Sequence, residues 1–467
     1  MSRYILRMLL VLIVCLAFVL TFAFIRPAIP LLAAGPSITL SMKSGPPTAS
    51  IRVNGRGFGS SQEIIINFDV TQISSSLSDS TGAFTTQVQI PPNATPGNHI
   101  IQAINQNGGL SAQKTFLVQT NWSQFGFNAS QTRSNPYENV LSTNNVSNLV
   151  LSWSAPVGYV YSSPTIVNGV VYIGSEDDTV YAFNAATGAS LWSYTTGGFI
   201  DPTATVVKGV VYIGSADDDM YALNANTGAL IWSSTLGGSI VGSSPTVVNN
   251  IVYVGSSDDK LYALYAPTGA LLWTYTSGGP IASSPAFTNG MVYVGSQDGN
   301  LYALNAKTGA LIWSYATGSL IDGSSPAITN GIVYIGSGNH KLYALNAKTG
   351  KLIWAYSAGG FIESSPAIAN GIVYFGSDDH TLYALSAKTG VILWSYATGG
   401  RVISSPAVAN GVVFVGSEDH SLYALNALTG SLLWTYTTGG SILSSPSIAN
   451  GEVFIGSVDT NLYAFDI

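Results

Sequence analysis

Apolar and polar residues alternate with a period of two along most of this chain, and turn residues interrupt the alternation every few positions. In one stretch, apolar runs at 281–287, 291–295, 301–305 and 311–315 are separated by Asn289-Gly290, Gln297-Asp298-Gly299 and Thr308-Gly309. Alternating runs of this length predict β-strands, and an Asn-Gly pair between two of them is a strong hairpin signal. The stretch therefore predicts four antiparallel strands.

The same pattern recurs about every 40 residues. The motif V-[YF]-x-G-S occurs eight times, with its glycines at 174, 214, 255, 295, 336, 376, 416 and 456. A tryptophan recurs with the same spacing, at Trp153, Trp192, Trp232, Trp273, Trp313, Trp354, Trp394 and Trp434. Four strands in each 40-residue unit are typical of propeller blades. We predict an all-β protein with an eight-bladed β-propeller over residues 149–467, and we interpret the tryptophans as packing residues.

The ends of the repeat region predict how the propeller closes. The last repeat finishes after its third strand, at 462–465, and Leu149–Trp153 has the pattern of the missing fourth strand. If this N-terminal strand completes the last blade, it removes an open sheet edge.

Three segments precede the propeller. Residues 36–118 carry short alternating runs and turn clusters, which predict a small β-sandwich, and residues 119–148 form a lead-in segment. In residues 1–35, Arg3 and Arg7 precede an apolar run from Met8 to Phe24. This segment is either a cleaved signal peptide or an uncleaved membrane anchor. Both interpretations place the rest of the chain outside the cytoplasm, either secreted or anchored by its N-terminus.

Composition narrows the classes of function. Charged residues make up 8% of the chain and the formal net charge is −7, without any cluster of Lys and Arg, which argues against a nucleic-acid partner. The only cysteine is Cys15 in the N-terminal segment, so the folded part has neither a disulfide nor a thiol nucleophile. We expect a monomer that contacts a membrane only through its N-terminal segment.

Two parts of the chain resemble known families. Residues 303–313, Ala-Leu-Asn-Ala-Lys-Thr-Gly-Ala-Leu-Ile-Trp, match the tryptophan-docking motif of the PQQ-like repeat family, and near copies begin at 182, 222, 263, 344, 384 and 424. The segment Asn121–Phe127 is similar to the lead-in of many such propellers. Residues 36–118 resemble bacterial Ig-like modules of the TIG type, through Val53–Phe58 and Pro96–His99.

The PQQ-like resemblance implies one of two classes. Quinoprotein dehydrogenases hold pyrroloquinoline quinone and calcium over the propeller, with a catalytic carboxylate, long inserts and often a vicinal disulfide. Binding propellers, such as the outer-membrane assembly subunit, lack the cofactor. This chain has no cysteine pair, no long insert and no clear set of calcium ligands. We therefore expect a non-enzymatic binding or scaffold propeller for a protein or glycan partner, without catalytic residues, cofactor or metal. A quinoprotein oxidoreductase and a structural or adhesion protein of the cell envelope are the alternatives.

Two repeated polar sets invite a metal interpretation. One equivalent hairpin position carries Asn339 in one repeat and an aspartate in the others, at Asp177, Asp217, Asp258, Asp298, Asp379, Asp419 and Asp459. One carboxylate per blade around a wide ring is typical of Asx turns, and we prefer that interpretation to a calcium site. Three neighbouring repeats continue with His340, His380 and His420. Equivalent hairpin tips diverge, so we interpret these histidines as solvated loop residues rather than metal ligands.

The best hint of a binding site is charge that departs from the repeat. Just before the Ser-Ser-Pro motif most repeats have neutral residues, whereas Asp201, Asp322 and Glu363 are acidic, with Arg401 nearby and Tyr161 in the first repeat. The innermost strand of a blade lines the central channel, so these five residues would gather at its mouth. Neutral drift is the alternative.

We call the face with the mouth and the acidic hairpins the top face, and the face with the Asn-Gly and Thr-Gly turns the bottom face.

Overall, the propeller region has 19 acidic and 8 basic residues, and fourteen of the acids lie in the top-face hairpins. Such a face can steer a basic partner toward it, or it can serve only solubility.

Overall fold

The computed structural model describes residues 35–107 and 109–467, so the predicted signal or anchor segment lies outside the described residues. The described chain is built from β-strands and contains one short 3-10 turn, Val146–Asn148. None of its helical segments is long and apolar enough to span a lipid bilayer. The all-β prediction is confirmed.

Eight strands precede the lead-in segment and form two sheets. The first sheet has three strands and the second has five, in the orders β1-β3-β6 and β2-β8-β7-β4-β5. The strands are β1 Ser37–Leu40, β2 Ser44–Gly45, β3 Ser50–Arg56, β4 Glu63–Phe68, β5 Thr71–Leu77, β6 Phe84–Gln89, β7 Gly97–Asn105 and β8 Ser111–Val118. Buried positions, most of them apolar, alternate with more exposed positions along β3, β4 and β6, as expected for a sandwich. The resemblance to TIG-type modules stays a prediction.

The remaining strands form eight sheets, each with four antiparallel strands, and the short strand Ser134–Asn135 adds to one of them in parallel, which confirms the β-propeller. Blades 1 to 8 are numbered by their inner strands, Thr165–Val167, Thr205–Val207, Thr246–Val248, Ala286–Thr288, Ala327–Thr329, Ala367–Ala369, Ala407–Ala409 and Ser447–Ala449. The second strands are Val170–Gly174, Val210–Gly214, Ile251–Gly255, Met291–Gly295, Ile332–Ser337, Ile372–Ser377, Val412–Gly416 and Glu452–Gly456. Their side chains are almost all buried, because both faces of each blade pack against neighbouring blades.

The third strand of each blade is mostly buried, whereas the outer strand is largely exposed. The third strands are Thr179–Asn184, Asp219–Asn224, Lys260–Tyr265, Asn300–Asn305, Lys341–Asn346, Thr381–Ser386, Ser421–Asn426 and Asn461–Asp466. The outer strands of blades 1 to 7 are Ser190–Thr195, Leu230–Thr235, Ala270–Thr276, Leu311–Ala316, Leu352–Ser357, Ile392–Ala397 and Leu432–Thr437. Blade 8 takes its outer strand from the N-terminal side, since Val150–Pro156 pairs antiparallel with Asn461–Asp466. This is the closure that the sequence predicts.

A ring of hydrogen bonds joins the eight inner strands. In each blade the backbone N–H of one Ser or Thr donates to the side-chain hydroxyl of its counterpart in the next blade, at 2.9–3.0 Å. The bond from Ser445 back to Ser163 closes the circle. The members of this hydroxyl ring are Ser163, Thr203, Ser244, Ser284, Ser325, Ser365, Ser405 and Ser445. Because it visits each blade once, the ring encircles the channel axis.

Each tryptophan of the repeat bonds to the next blade. The Trp273 indole N–H donates to the Ala306 carbonyl at 3.2 Å, and Trp434 in blade 7 bonds to Leu149. Trp232 and Trp394 are buried and the other six are half-buried. Gly309 of the Thr-Gly turn has φ +71°, and a Cβ there would lie 2.6 Å from the Trp273 ring. The turn therefore needs glycine both for its backbone conformation and for the close approach of the indole.

By compactness the chain divides into two units. The first contains Ala49–Ile90, Asn98–Phe116 and the described residues up to Lys43. The second contains Leu117–Ile467, together with Ser44–Thr48 and Pro91–Gly97. The lead-in segment and all eight blades thus belong to one compact body.

Candidate functional site: the central channel and its mouth

The lead-in segment fills the lower part of the central channel. Trp122 forms an antiparallel bridge with Ile166 in blade 1, and Ser134–Asn135 pairs parallel with Val408–Ala409 in blade 7. The inner strands run from the top face to the bottom face. The segment therefore enters the channel from the bottom beside blade 1, turns inside it and leaves beside blade 7.

Backbone hydrogen bonds hold this loop against most of the blades. The middle residues of six inner strands donate their N–H groups to its carbonyls at 2.7–2.9 Å, from Ile166, Val206, Phe287, Ile328, Ile368 and Val408. Side chains reach two further carbonyls, as Gln131 donates to Pro285 at 2.8 Å and Asn135 donates to Ile448 at 2.9 Å. The channel is thus closed on its bottom side by the protein's own chain.

The predicted mouth residues lie on the other side of the hydroxyl ring. In the six blades whose inner strands bond to the lead-in segment, the chain passes from top to bottom through the mouth position, then the ring hydroxyl, then the bonded residue. In blade 1 these positions are Tyr161, Ser163 and Ile166. The lead-in segment therefore lies below the hydroxyl ring, and the residues that depart from the repeat lie on the top side of it.

Tyr161 and Asp201 form one side of the mouth. Burial and the nearby Glu176 carboxylate raise the pKa of Asp201 to about 6. Its buried Oδ1 has no hydrogen-bond partner within the described part of the chain. The pKa of the Tyr161 hydroxyl is also raised, by burial and then by the carboxylates of Glu176, Asp201 and Glu418. Carboxylates from blades 1, 2 and 7 therefore act on one tyrosine.

Glu363 and Arg401 form the opposite side. Arg401 donates two hydrogen bonds of 2.7 Å to the Glu418 carboxylate and lies 3.6 Å from Asp378. The pKa of Glu363 is raised by burial and by Asp378 and Asp322, against the opposing effect of Arg401. Asp322 itself accepts a hydrogen bond of 3.1 Å from Gln297. One arginine thus faces several carboxylates, and this side keeps an acidic excess.

Glu418 couples the two sides, because its carboxylate influences both Tyr161 and Glu363 and accepts two hydrogen bonds from Arg401. Glu176, Asp378 and Glu418 belong to the same mouth, although the sequence analysis counted them only as hairpin acids. The repeat spacing indicates these positions, because Glu176 and Glu418 occupy the same position in their hairpins, beside the inner strand of the same blade. Backbone hydrogen bonds place them there: Glu176 N–H donates to Tyr159, and Glu418 N–H to Arg401.

The repeated aspartates hold the top-face hairpins together. In blade 4, Asp298 accepts hydrogen bonds from the Asn300 N–H, the Tyr302 hydroxyl and the Gly278 N–H of the preceding linker. This is the predicted Asx turn with two additional donors. His340, His380 and His420 follow at a position with φ between 65° and 73°. Within the described ranges, no group of three or more His, Cys, Asp or Glu is arranged to hold a metal ion.

Four cavities lie away from the mouth. Three open grooves on the bottom face, of about 740, 410 and 660 Å³, lie between neighbouring blades and are lined in part by Lys348, Lys388 and Lys208, respectively. A fourth cavity, of about 740 Å³, lies in the N-terminal unit beside Asn54 and Phe84. None of these four is lined by a mouth residue. The charge pattern, rather than cavity size, identifies the mouth.

Asp201→Asn is expected to stabilise the protein by about 1–2 kcal/mol at pH 8 and to change its stability little at pH 4. The folded-state pKa, about 6, lies above the ordinary value of 3.8. Between these two pKa values the folded state binds more protons than the unfolded state. The free energy of unfolding therefore falls as the pH rises through about 6. The full shift corresponds to about 3 kcal/mol, which partial exposure reduces. Urea unfolding from pH 4 to 8 measures the effect.

Asp259→Asn removes a carboxylate from a hairpin of the same face and is the matched control. The raised pKa of Asp201 would be contradicted if Asp201→Asn stabilised the protein equally at all pH values, or if Asp259→Asn stabilised it by the same amount.

Comparisons with known proteins agree with the fold. A PQQ-like repeat model, described as outer membrane protein assembly factor BamB, matches residues 72–194, 138–239 and 177–320. A second model, described as the β-propeller of β-alanine-activating enzyme, matches residues 287–467. A comparison with curated proteins gives no match.

Solved structures of different functions share this fold. BamB from Moraxella catarrhalis is 21% identical, with a TM-score of 0.61 over 68% of this chain and 100% of its own. The quinohemoprotein alcohol dehydrogenase from Comamonas testosteroni is 18% identical, with a TM-score of 0.65 over 74% and 80%. The computationally designed protein Ika8 is 19% identical, with a TM-score of 0.61 over 68% and 98%. At these identities the likeness establishes the fold alone.

Proposed function

Since this chain belongs to the PQQ-like β-propeller family, we propose that it is a non-enzymatic, extracytoplasmic binding or scaffold propeller that presents its acidic channel mouth to a basic segment of a partner protein. The observation that carries the proposal is the asymmetry of the channel. The lead-in segment occupies its lower part, while the upper mouth gathers charged residues that depart from the repeat.

The charge of the mouth selects the partner chemistry. Within the described residues, no ion pair involves Asp201, Asp322 or Glu363, and Arg401, which opposes the rise in the pKa of Glu363, is bound to Glu418. Burial and neighbouring carboxylates disfavour the charged forms of Asp201 and Glu363, so a lysine or arginine brought to the mouth would relieve an existing cost. The N-terminal segment and the likeness to BamB support the location outside the cytoplasm.

A quinoprotein oxidoreductase is the second candidate, because the similar solved structures include a quinohemoprotein alcohol dehydrogenase and a europium-containing methanol dehydrogenase, the latter 17% identical with a TM-score of 0.64. The residues present do not fit a metal-assisted quinone site. The described chain offers no cluster of three metal-ligating side chains. At the mouth, Glu418 is engaged by Arg401. We therefore derive no chemistry through a quinone.

The test is binding of a fluorescent hexalysine peptide, measured by anisotropy at low and physiological salt. Asp201→Asn/Glu363→Gln is expected to weaken binding about tenfold, since each neutralised charge contributes of the order of 0.5–1 kcal/mol. Binding should also fall steeply with salt. Lys307→Gln/Lys348→Gln, on the bottom face, should leave it unchanged or slightly stronger.

Asp218→Asn/Asp259→Asn removes two carboxylates from top-face hairpins and is the matched control for net charge. A smaller loss than that of the mouth pair supports the proposal. An equal loss would mean that the whole acidic face attracts cations without a defined site, and no loss from either pair would leave the acidic residues with a role in solubility only.

A further inference from the structure

A buried arginine lies inside the channel. Arg133 is part of the lead-in loop, and its side chain is 1% exposed. Its guanidinium carbon lies 3.7 Å from the centre of the Phe125 ring, and its Nη1 donates to the Phe125 carbonyl at 3.2 Å. Its Nε and Nη2 are buried without a hydrogen-bond partner in the described chain. A guanidinium therefore lies inside the propeller with part of its donor set unused.

Arg133 also lacks a counter-charge. No carboxylate of residues 35–107 and 109–467 forms an ion pair with it. Burial alone lowers its pKa, to about 9, so the side chain remains protonated at neutral pH. Buried charges in proteins are normally paired, because an isolated charge away from water is very costly. The mouth carboxylates do not provide the pair, since none of them influences this group.

The channel wall above the lead-in segment is rich in donors. Each hydroxyl of the ring accepts one backbone N–H, and within the described chain none has an acceptor for its own proton. A hydroxyl group can donate and accept at once, so eight O–H donors remain available. In blade 7, Val408 donates its backbone N–H to the carbonyl of Arg133, and the ring residue Ser405 lies three positions before Val408. The ring therefore encircles the channel just above the arginine.

We propose that the channel between the hydroxyl ring and the lead-in loop holds a small monovalent inorganic anion, such as chloride, bound through Nε and Nη2 of Arg133. The anion neutralises the guanidinium and gives its unused donors a partner. The buried amide oxygens of Gln124 and Gln131 lack hydrogen-bond donors in the described chain, which indicates ordered water beside the anion. Closure from the bottom face and the near-complete burial of Arg133 limit the site to a small ligand.

The experiment measures the melting temperature of the full chain when sodium gluconate is replaced by sodium chloride at constant ionic strength. A ligand that binds only the folded state raises the melting temperature, by roughly 4 °C for a hundredfold excess over its dissociation constant in a domain of this size. Arg133→Gln should lose this dependence. Lys348→Gln removes an exposed lysine and should keep it. A wild-type protein insensitive to chloride, or an Arg133→Gln variant as sensitive as wild type, would overturn the proposal.

A crystal grown in bromide gives a second readout that does not depend on how the variant folds. We expect an anomalous peak within hydrogen-bonding distance of the Arg133 guanidinium. Water alone at that position would overturn the assignment.

Discussion

Deleting Leu149–Trp153 is expected to abolish cooperative folding of the propeller. Val150–Pro156 is the outer strand of blade 8, and Ala155 is buried against the core of that blade. Without this strand the third strand of blade 8 has an open edge, and blade 7 loses the Leu149 carbonyl that accepts the Trp434 indole N–H. Exposed, apolar strand edges promote association between chains.

Thermal unfolding and size-exclusion chromatography check this result. The deletion variant should aggregate or melt over a broad, low range of temperature. Val150→Ser is the control, because Val150 is 59% exposed and its replacement leaves the strand in place. A monomeric deletion variant that melts like the wild type would show that the N-terminal strand does not close the propeller.

Trp122→Ala is expected to lower the free energy of unfolding by about 3–5 kcal/mol, the range for removing a large buried aromatic side chain. Trp122 is 1% exposed, exchanges two backbone hydrogen bonds with Ile166 at 2.8 and 2.9 Å, and packs edge-on against Phe127 at 5.2 Å. It anchors the start of the lead-in loop, so the cavity left behind would also loosen the loop within the channel.

Urea denaturation measures this change. The control is Leu428→Ala, since Leu428 is 72% exposed in a bottom-face turn and should contribute less than about 0.5 kcal/mol. If Trp122→Ala costs no more than the control, the lead-in segment is only loosely associated with the channel.

Most of the propeller could be predicted from the sequence because each structural unit repeats its signals. The Asn-Gly turns, the Thr-Gly turns and the tryptophans all recur at fixed spacing, and each has a local physical cause. Gly309, for example, needs both a positive φ and the absence of a Cβ beside Trp273. The strand Thr71–Leu77 of the N-terminal unit could not be predicted, because its residues, Thr-Gln-Ile-Ser-Ser-Ser-Leu, do not alternate between apolar and polar.

The lead-in loop could not be predicted, since it has no repeat and little regular structure. Its position depends on hydrogen bonds to residues up to several hundred positions away, such as the bond from Asn135 to Ile448. Nothing in the local pattern around Arg133 indicates that this charged side chain is buried. Only the three-dimensional ring of inner strands creates the channel into which the loop fits.

The mouth could be predicted from the sequence only in part. The repeat period indicates which positions approach the channel, so the departures at Asp201 and Glu363 could be recognised. The pairing of Arg401 with Glu418 could not, because the arginine lies in the linker before blade 7 and the glutamate in a hairpin within it. Which of the hairpin acids reach the mouth depends on side-chain geometry rather than on spacing.

We propose that this member of the PQQ-like family binds a partner without carrying the quinone. Equilibrium dialysis of the full chain against pyrroloquinoline quinone and calcium tests it most directly, with quinone absorbance as the readout. Our account predicts no saturable binding at micromolar quinone, in the wild type and in Asp201→Asn/Glu363→Gln alike. A stoichiometric, calcium-dependent complex of micromolar affinity that the double substitution weakens would contradict it and would identify the mouth as a cofactor site.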